Sequence, residues 1–241
     1  MRRKFFAPIL VIALAFPFFA ADKKSGPKPI VVDFSKEKAG ATPQAFLPVV
    51  GNWSIQQDGK DKVITVDGRA WKKGNPAEGM IESARKIYGS RHEEFIDNVK
   101  AFAYFPYAVA GGVDEFHDGE ISIRFKLISG SLDQCAGILF NLKPSGDYLT
   151  VRFNQKESNL VLWTFKNGKR SFVKRAPEDV PLDMGQWYTM KIAVHGTQLQ
   201  GYLNDKLLLE YTLPEPVNGR IGLWSKTDSV TEFADYKVLK Q

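Results

Sequence analysis

The densest group of side chains able to move a proton is Asp114-Glu115-Phe116-His117-Asp118-Gly119-Glu120, four carboxylates and an imidazole within seven residues. Retaining cleavage of a glycosidic bond uses two carboxyl groups about 5 Å apart, a separation that alternate positions on a strand supply. Asp118 and Glu120 stand two apart and are the catalytic candidates. Gly119 lies between them and marks the turn entering the next strand, so a solvated turn is the competing reading. The other histidines, His92 and His195, are isolated from any Ser or Cys nucleophile pattern. No G-x-S-x-G, H-E-x-x-H, phosphate-loop or dinucleotide pattern occurs. One cysteine and three dispersed histidines argue against zinc.

A second group suits binding rather than bond breaking. Over Tyr148 to Asn154 the alternation puts Leu149, Val151 and Phe153 on one side and Tyr148, Thr150, Arg152 and Asn154 on the other. An aromatic ring stacks on the apolar face of a sugar, while Arg and Asn make directional hydrogen bonds to its hydroxyls. Tyr148, Arg152 and Asn154 are therefore the ligand-binding candidates, with Asn141 and Trp163 on the flanking strands extending the row. An ordinary solvent-facing sheet has the same pattern.

The elements that carry these residues are strands. Glu120 to Leu127 alternates with period two, and apolar runs follow at 136–142, 148–153, 160–165 and 188–194, each bounded by Gly, Pro, Asn or Asp. Asn167-Gly168 and Asn204-Asp205 have hairpin chemistry. Short strands at regular spacing without a tandem repeat predict a two-sheet antiparallel sandwich. Between Pro76 and Phe105 the apolar residues Met80, Ala84, Ile87, Tyr88, Phe95, Val99 and Phe102 recur at helical spacing. This predicts two short helices hinged at Gly89-Ser90, packed on the sandwich edge or acting as a lid or protein-docking surface over one end of the sheet.

Met1-Arg2-Arg3-Lys4, an apolar run from Phe5 to Ala15 and the small pair Ala20-Ala21 have the form of a secretory signal. Residues 1–21 are read as that signal, 22–29 as a linker and 30–241 as one domain, periplasmic or extracellular, with no membrane attachment after cleavage; an uncleaved N-terminal anchor is the alternative. Removing Arg2, Arg3 and Lys4 lowers the formal charge from +6 to +3. The remaining Lys and Arg are scattered, which argues against nucleic acid. Cys135, the one cysteine, forms no intrachain disulfide and opens an apolar strand, where a buried thiol is expected.

The C-terminal third carries a resemblance. Gln186-Trp187-Tyr188-Thr189-Met190-Lys191-Ile192 leads into the hairpin Gly201-Tyr202-Leu203-Asn204-Asp205-Lys206. Gly219-Arg220-Ile221-Gly222-Leu223-Trp224 and Phe233-Ala234-Asp235-Tyr236 complete the series. This order resembles the concanavalin A-like lectin/glucanase superfamily. Within it, the chain is similar to laminin-G-like modules and to the bacterial class named for 3-keto-disaccharide hydrolysis. Asp205 replaces the usual hairpin glycine and Ala234 a frequent Asp; the motif-specific part is the last ~55 residues. Gly219 and Gly222 are expected to let the backbone bend between sheets.

The resemblance implies an all-β jelly roll whose concave face takes glycans, with the Tyr148 row on that face. It also implies a structural calcium near the last strand, for which Asp235 and its neighbour Asp33 are the ligand candidates. The E-x-D-x-x-E carboxylate pattern of laminarinase-type relatives is absent. The expected function is carbohydrate binding without cleavage, with a glycoside or 3-keto-disaccharide hydrolase and a protein-interaction module as alternatives.

Overall fold

The computed structural model describes residues 28–69, 79–99, 105–167 and 169–241. The expected signal, most of the linker, Gly168, Phe102 and both flanks of the helical segment lie outside them. Two antiparallel sheets face each other. The first runs in the order β13 (Lys206–Thr212), β12 (Gln198–Leu203), β11 (Trp187–His195), β6 (Gly119–Ser129), β15 (Val230–Lys240), β4 (Asp61–Asp67), β3 (Trp53–Asp58), with β1 (Ile30–Val31) also on β15. The second runs β10 (Lys169–Arg175), β9 (Asn159–Lys166), β8 (Tyr148–Asn154), β7 (Cys135–Leu142), β14 (Arg220–Trp224), β5 (Tyr107–Ala110), β2 (Phe46–Val50). Strands adjacent in a sheet, such as β6 and β15 or β14 and β5, are thus often far apart along the chain, as in a jelly roll.

Alternation fills the space between the sheets. On β6, Ile121, Ile123, Phe125 and Leu127 point inward and meet Val151 and Phe153 of β8, with Phe125 and Phe153 rings 6.1 Å apart. Burying each such side chain contributes roughly 1.5–3 kcal/mol. Gly222 sits inside β14, where an added Cβ would lie 2.1 Å from the Ala108 carbonyl oxygen of the neighbouring strand. Close backbone approach within one sheet, rather than a bend between sheets, requires glycine there.

The second core lies outside the sandwich. Helices α1 (Met80–Tyr88) and α2 (His92–Val99) are joined by a 3-10 turn at Gly89–Arg91, at the expected hinge. Met80, Ala84 and Ile87 occur at helical spacing on α1, and with Phe95 of α2 they are buried against the outer face of the second sheet. They belong to one apolar cluster with Val49, Val50, Tyr107, Val109, Leu139, Tyr148, Phe165 and Trp224. Helix α1 packs on β2, the edge strand of the second sheet, and its buried side chains join the apolar and aromatic residues of that sheet's outer face.

Candidate functional site

The expected binding row lies on this outer face and is buried there. Tyr148, Arg152, Asn154 and Asn141 do face away from the inter-sheet core, yet they are only 2 %, 3 %, 1 % and 9 % exposed. Tyr148 stacks on Phe165 with centroids 4.2 Å apart, and its hydroxyl accepts from Trp224 Nε1 at 3.3 Å. Arg152 donates to the Asn159 side chain and, at 2.6 Å, to Glu157. Burial alone would raise the Glu157 pKa, but the Arg152 charge and hydrogen bonds outweigh it and hold the carboxyl below its ordinary value. Asn154 donates to Asp133 at 3.2 Å and accepts from Lys156 N at 3.1 Å. Asn141, at φ 56°, accepts from Asn218 N at 2.9 Å. The polar groups expected to meet sugar hydroxyls are bonded within the fold. Trp163, one strand further out, is half-buried.

Catalytic candidates Asp118 and Glu120 do not converge. Glu120 turns to the outer face of the first sheet and pairs with Lys191 at 3.2 Å. Asp118 accepts from the Gly196 backbone N–H and so fastens the β11–β12 turn. Gly119 between them adopts φ 122°.

Asp33 and Asp235 do share a recess of about 350 Å³, but its other charged walls include Lys60, Lys62 and Arg124. Asp33 accepts from the Ser35 N–H and hydroxyl, both at 2.8 Å, and Asp235 pairs with Arg124 at 3.1 Å. Calcium needs six or more oxygens. The two carboxylates already hold partners, and no cluster of three or more His, Cys, Asp or Glu occurs among the described residues. These residues do not fit a calcium ion.

A larger cavity, about 760 Å³, opens at one end of the sandwich. Its walls come from segments far apart in sequence: the end of α1, residues 114–118, the β7–β8 turn, the start of β14 and the end of β15. Phe116 is fully buried and its backbone bridges to Gly219, which holds the flanking Glu115 and His117 at the cavity wall. His117 Nε2 and Glu115 Oε2 lie 3.6 Å apart. Arg220 ties the wall together by donating to Ile87 O at 2.6 Å and Asp114 Oδ1 at 3.2 Å, its guanidinium 5.6 Å from the Tyr88 ring centre. Tyr88 donates to Leu142 O at 3.1 Å, and burial pushes its phenol well above the ordinary pKa, keeping the proton on. Such a volume with hydrogen-bonding groups of both signs suits a small polar ligand.

Arg220 and Tyr88 were legible only as parts of a strand motif and a helical stripe. An arginine inside the apolar Gly219–Trp224 run was the signal that it has a specific partner.

Fold and topology define a concanavalin A-like lectin/glucanase sandwich. Residues 109–239, more than half the chain, match the family model described as 3-keto-alpha-glucoside-1,2-lyase-like domain, and the chain belongs to that family. The match begins within β5, so α1 and α2 precede it. No curated protein matches the sequence. Among solved structures, the carbohydrate binding module CBM66 from Bacillus subtilis is similar with a TM-score of 0.56 at 15% identity, covering 83% of this chain and 98% of that one. The Bacillus licheniformis β-glucanase gives 0.51 at 10% identity, covering 91% and 100%. A structure described as a native glycosidic hydrolase gives 0.52 at 13% identity, covering 88% and 95%. These likenesses establish the shared sandwich.

Proposed function

We propose that this chain is an exported carbohydrate-binding domain, spanning residues 30–241, that seats one or two sugar rings in the end cavity without cleaving them. The observation that carries this reading is the cavity itself: about 760 Å³, walled by Asp114, His117, Asp118, Lys143 and Arg220 from the family-matched region. Its size lies within the range of ligand pockets, roughly 300–1,000 Å³. The separation of Glu120 from Asp118 supports binding over hydrolysis, since retaining cleavage needs both carboxyls at one bond. The names of the similar structures, a carbohydrate binding module and a β-glucanase, agree with a glycan ligand.

A glycan array with the secreted protein, with and without calcium, tests it. We expect one glycan class to bind independently of calcium, and His117→Ala and Lys143→Ala each to weaken it about tenfold, as loss of a single polar contact does. Equal affinity in both variants would remove the cavity from the reading. N-terminal sequencing of secreted material tests export; retention of residues 1–21 would refute the signal.

The family description and the His117–Glu115 pair favour a second reading, a lyase. A ketone at C3 acidifies the C2 hydrogen of a glucoside. His117 would take that proton, the C2–H electrons would form the C1=C2 bond, and the C1–O bond would break as the leaving oxygen takes up a proton. Appearance of the conjugated enone from a 3-keto-glucoside, lost in His117→Ala, supports this reading; an unchanged substrate refutes it.

A further inference from the structure

The edge of the second sheet carries chemistry of its own, far from the end cavity in strand order. Strand β10 reads Lys-Arg-Ser-Phe-Val-Lys-Arg, and only Val173 is not exposed. With Lys166 at the end of β9, five cations fall within 166–175. Charged residues on an edge strand discourage pairing with other chains, and that accounts for the lysines. It does not account for Phe172, which is 59% exposed on the same strand.

Phe172 lies directly across from Trp163 of β9, ring centroids 5.8 Å apart and nearly perpendicular at 86°. The guanidinium of Arg170 sits 4.4 Å from the Trp163 ring centre and 5.1 Å from that of Phe105. Stacking fixes the plane of a guanidinium while leaving its N–H edge free for a bidentate acceptor. The Arg170 side chain has no ion pair or hydrogen bond among the described residues, whereas Arg175 is taken by Asp179 and Lys206 by Glu178. Lys166, Lys169 and Lys174 also lack an ion pair among the described residues. One strand thus presents an open aromatic ring beside an oriented, unpaired guanidinium and a surplus of positive charge.

We propose that this surface binds acidic oligosaccharides, uronate chains in particular, at a site separate from the end cavity. A pyranose ring lies on Phe172, its carboxylate takes the two N–H groups of Arg170, and the lysines attract the neighbouring carboxylates. The aromatic–guanidinium pair gives the sugar its orientation, and the charge complementarity selects acidic over neutral chains. Single-stranded nucleic acid fits less well, since it uses a series of rings on which successive bases stack, and here one ring is openly presented.

Calorimetric titration of the purified protein with polygalacturonate oligomers, neutral glucan oligomers of equal length and single-stranded DNA is the test. The expected result is binding to polygalacturonate alone, weakening as salt rises. Arg170→Gln and Phe172→Ala should each lower affinity about tenfold or more, with melting temperatures unchanged because both side chains are exposed. Arg170→Lys should also weaken binding, since it keeps charge but loses the fork. Absence of uronate binding, equal binding of neutral glucan, preference for DNA, or unchanged affinity in the variants would each overturn the proposal. Loss of uronate binding in His117→Ala would place the glycan in the end cavity and overturn it too, whereas failure of the cavity reading leaves it standing.

Discussion

Replacing Arg220 by alanine should loosen the helical insertion from the sandwich, and the structure sets the size of the effect. The Arg220 side chain is 14% exposed and makes two polar contacts of unequal value. Its bond to Ile87 O reaches the last turn of α1, where helix carbonyls lack an intrahelical donor. A hydrogen bond from a charged group is worth about 1.5–3 kcal/mol, and a cation at a helix C-terminus adds roughly 0.3–1 kcal/mol. The Tyr88 ring contributes about 0.5–1 kcal/mol more. Asp114 is 87% exposed, so its pair with Arg220 is worth no more than ~0.5 kcal/mol. Arg220→Ala should therefore cost about 2–5 kcal/mol, and Asp114→Asn less than about 0.5 kcal/mol. Urea denaturation measures both, and hydrogen exchange should show the loss concentrated in 80–88. Equal costs for the two variants, or no loss of protection in α1, would refute the assignment of the energy to the Ile87 contact.

Burial pushes the Cys135 thiol up to about 12, so the native protein should resist a thiol reagent near pH 8 and react fully once unfolded; native labelling would contradict the buried position. Asp228 accepts from the Ser131 hydroxyl and from the backbone N–H groups of Ser131, Leu132 and Asp133. Burial alone would raise its pKa, but these bonds outweigh that and depress it. A depressed carboxyl stabilises the fold above its unfolded pKa of about 4, and that contribution is lost as pH falls through the folded value. Asp228→Asn should cost ~1–2 kcal/mol near pH 7, discounted for partial exposure, with the gap from wild type closing in strong acid; a gap independent of pH would refute the role of the charge.

Much of the architecture was legible from local pattern. Alternation along Glu120 to Leu127 identified both the strand and its inward residues, which are the buried Ile121, Ile123, Phe125 and Leu127. The stripe from Met80 to Phe95 located two helices and the hinge at Gly89-Ser90, and the apolar context of Cys135 matched its burial. These readings succeeded because period two and period 3.6 are properties of the backbone.

The candidate sites were less legible, since a side chain's direction is local while its surroundings are not. Alternation correctly put Tyr148, Arg152 and Asn154 on the face away from the inter-sheet core. Tyr107, Phe165 and Trp224 from other strands close over the Tyr148 end of that row, and the turn at Gln155–Glu157 brings Glu157 to Arg152. Likewise Asp118 and Glu120 are near neighbours in sequence, but their partners Gly196 and Lys191 come from β11 and the turn after it. The end cavity draws its walls from segments up to about 150 residues apart, so no window of sequence contains it. Sequence by itself located the strands β6 to β9 and β11, the inward face of β6 and the two helices, and left β2 to β5 and β10 unplaced. Tertiary structure decided which outward faces meet solvent, because that depends on what distant segments pack against them.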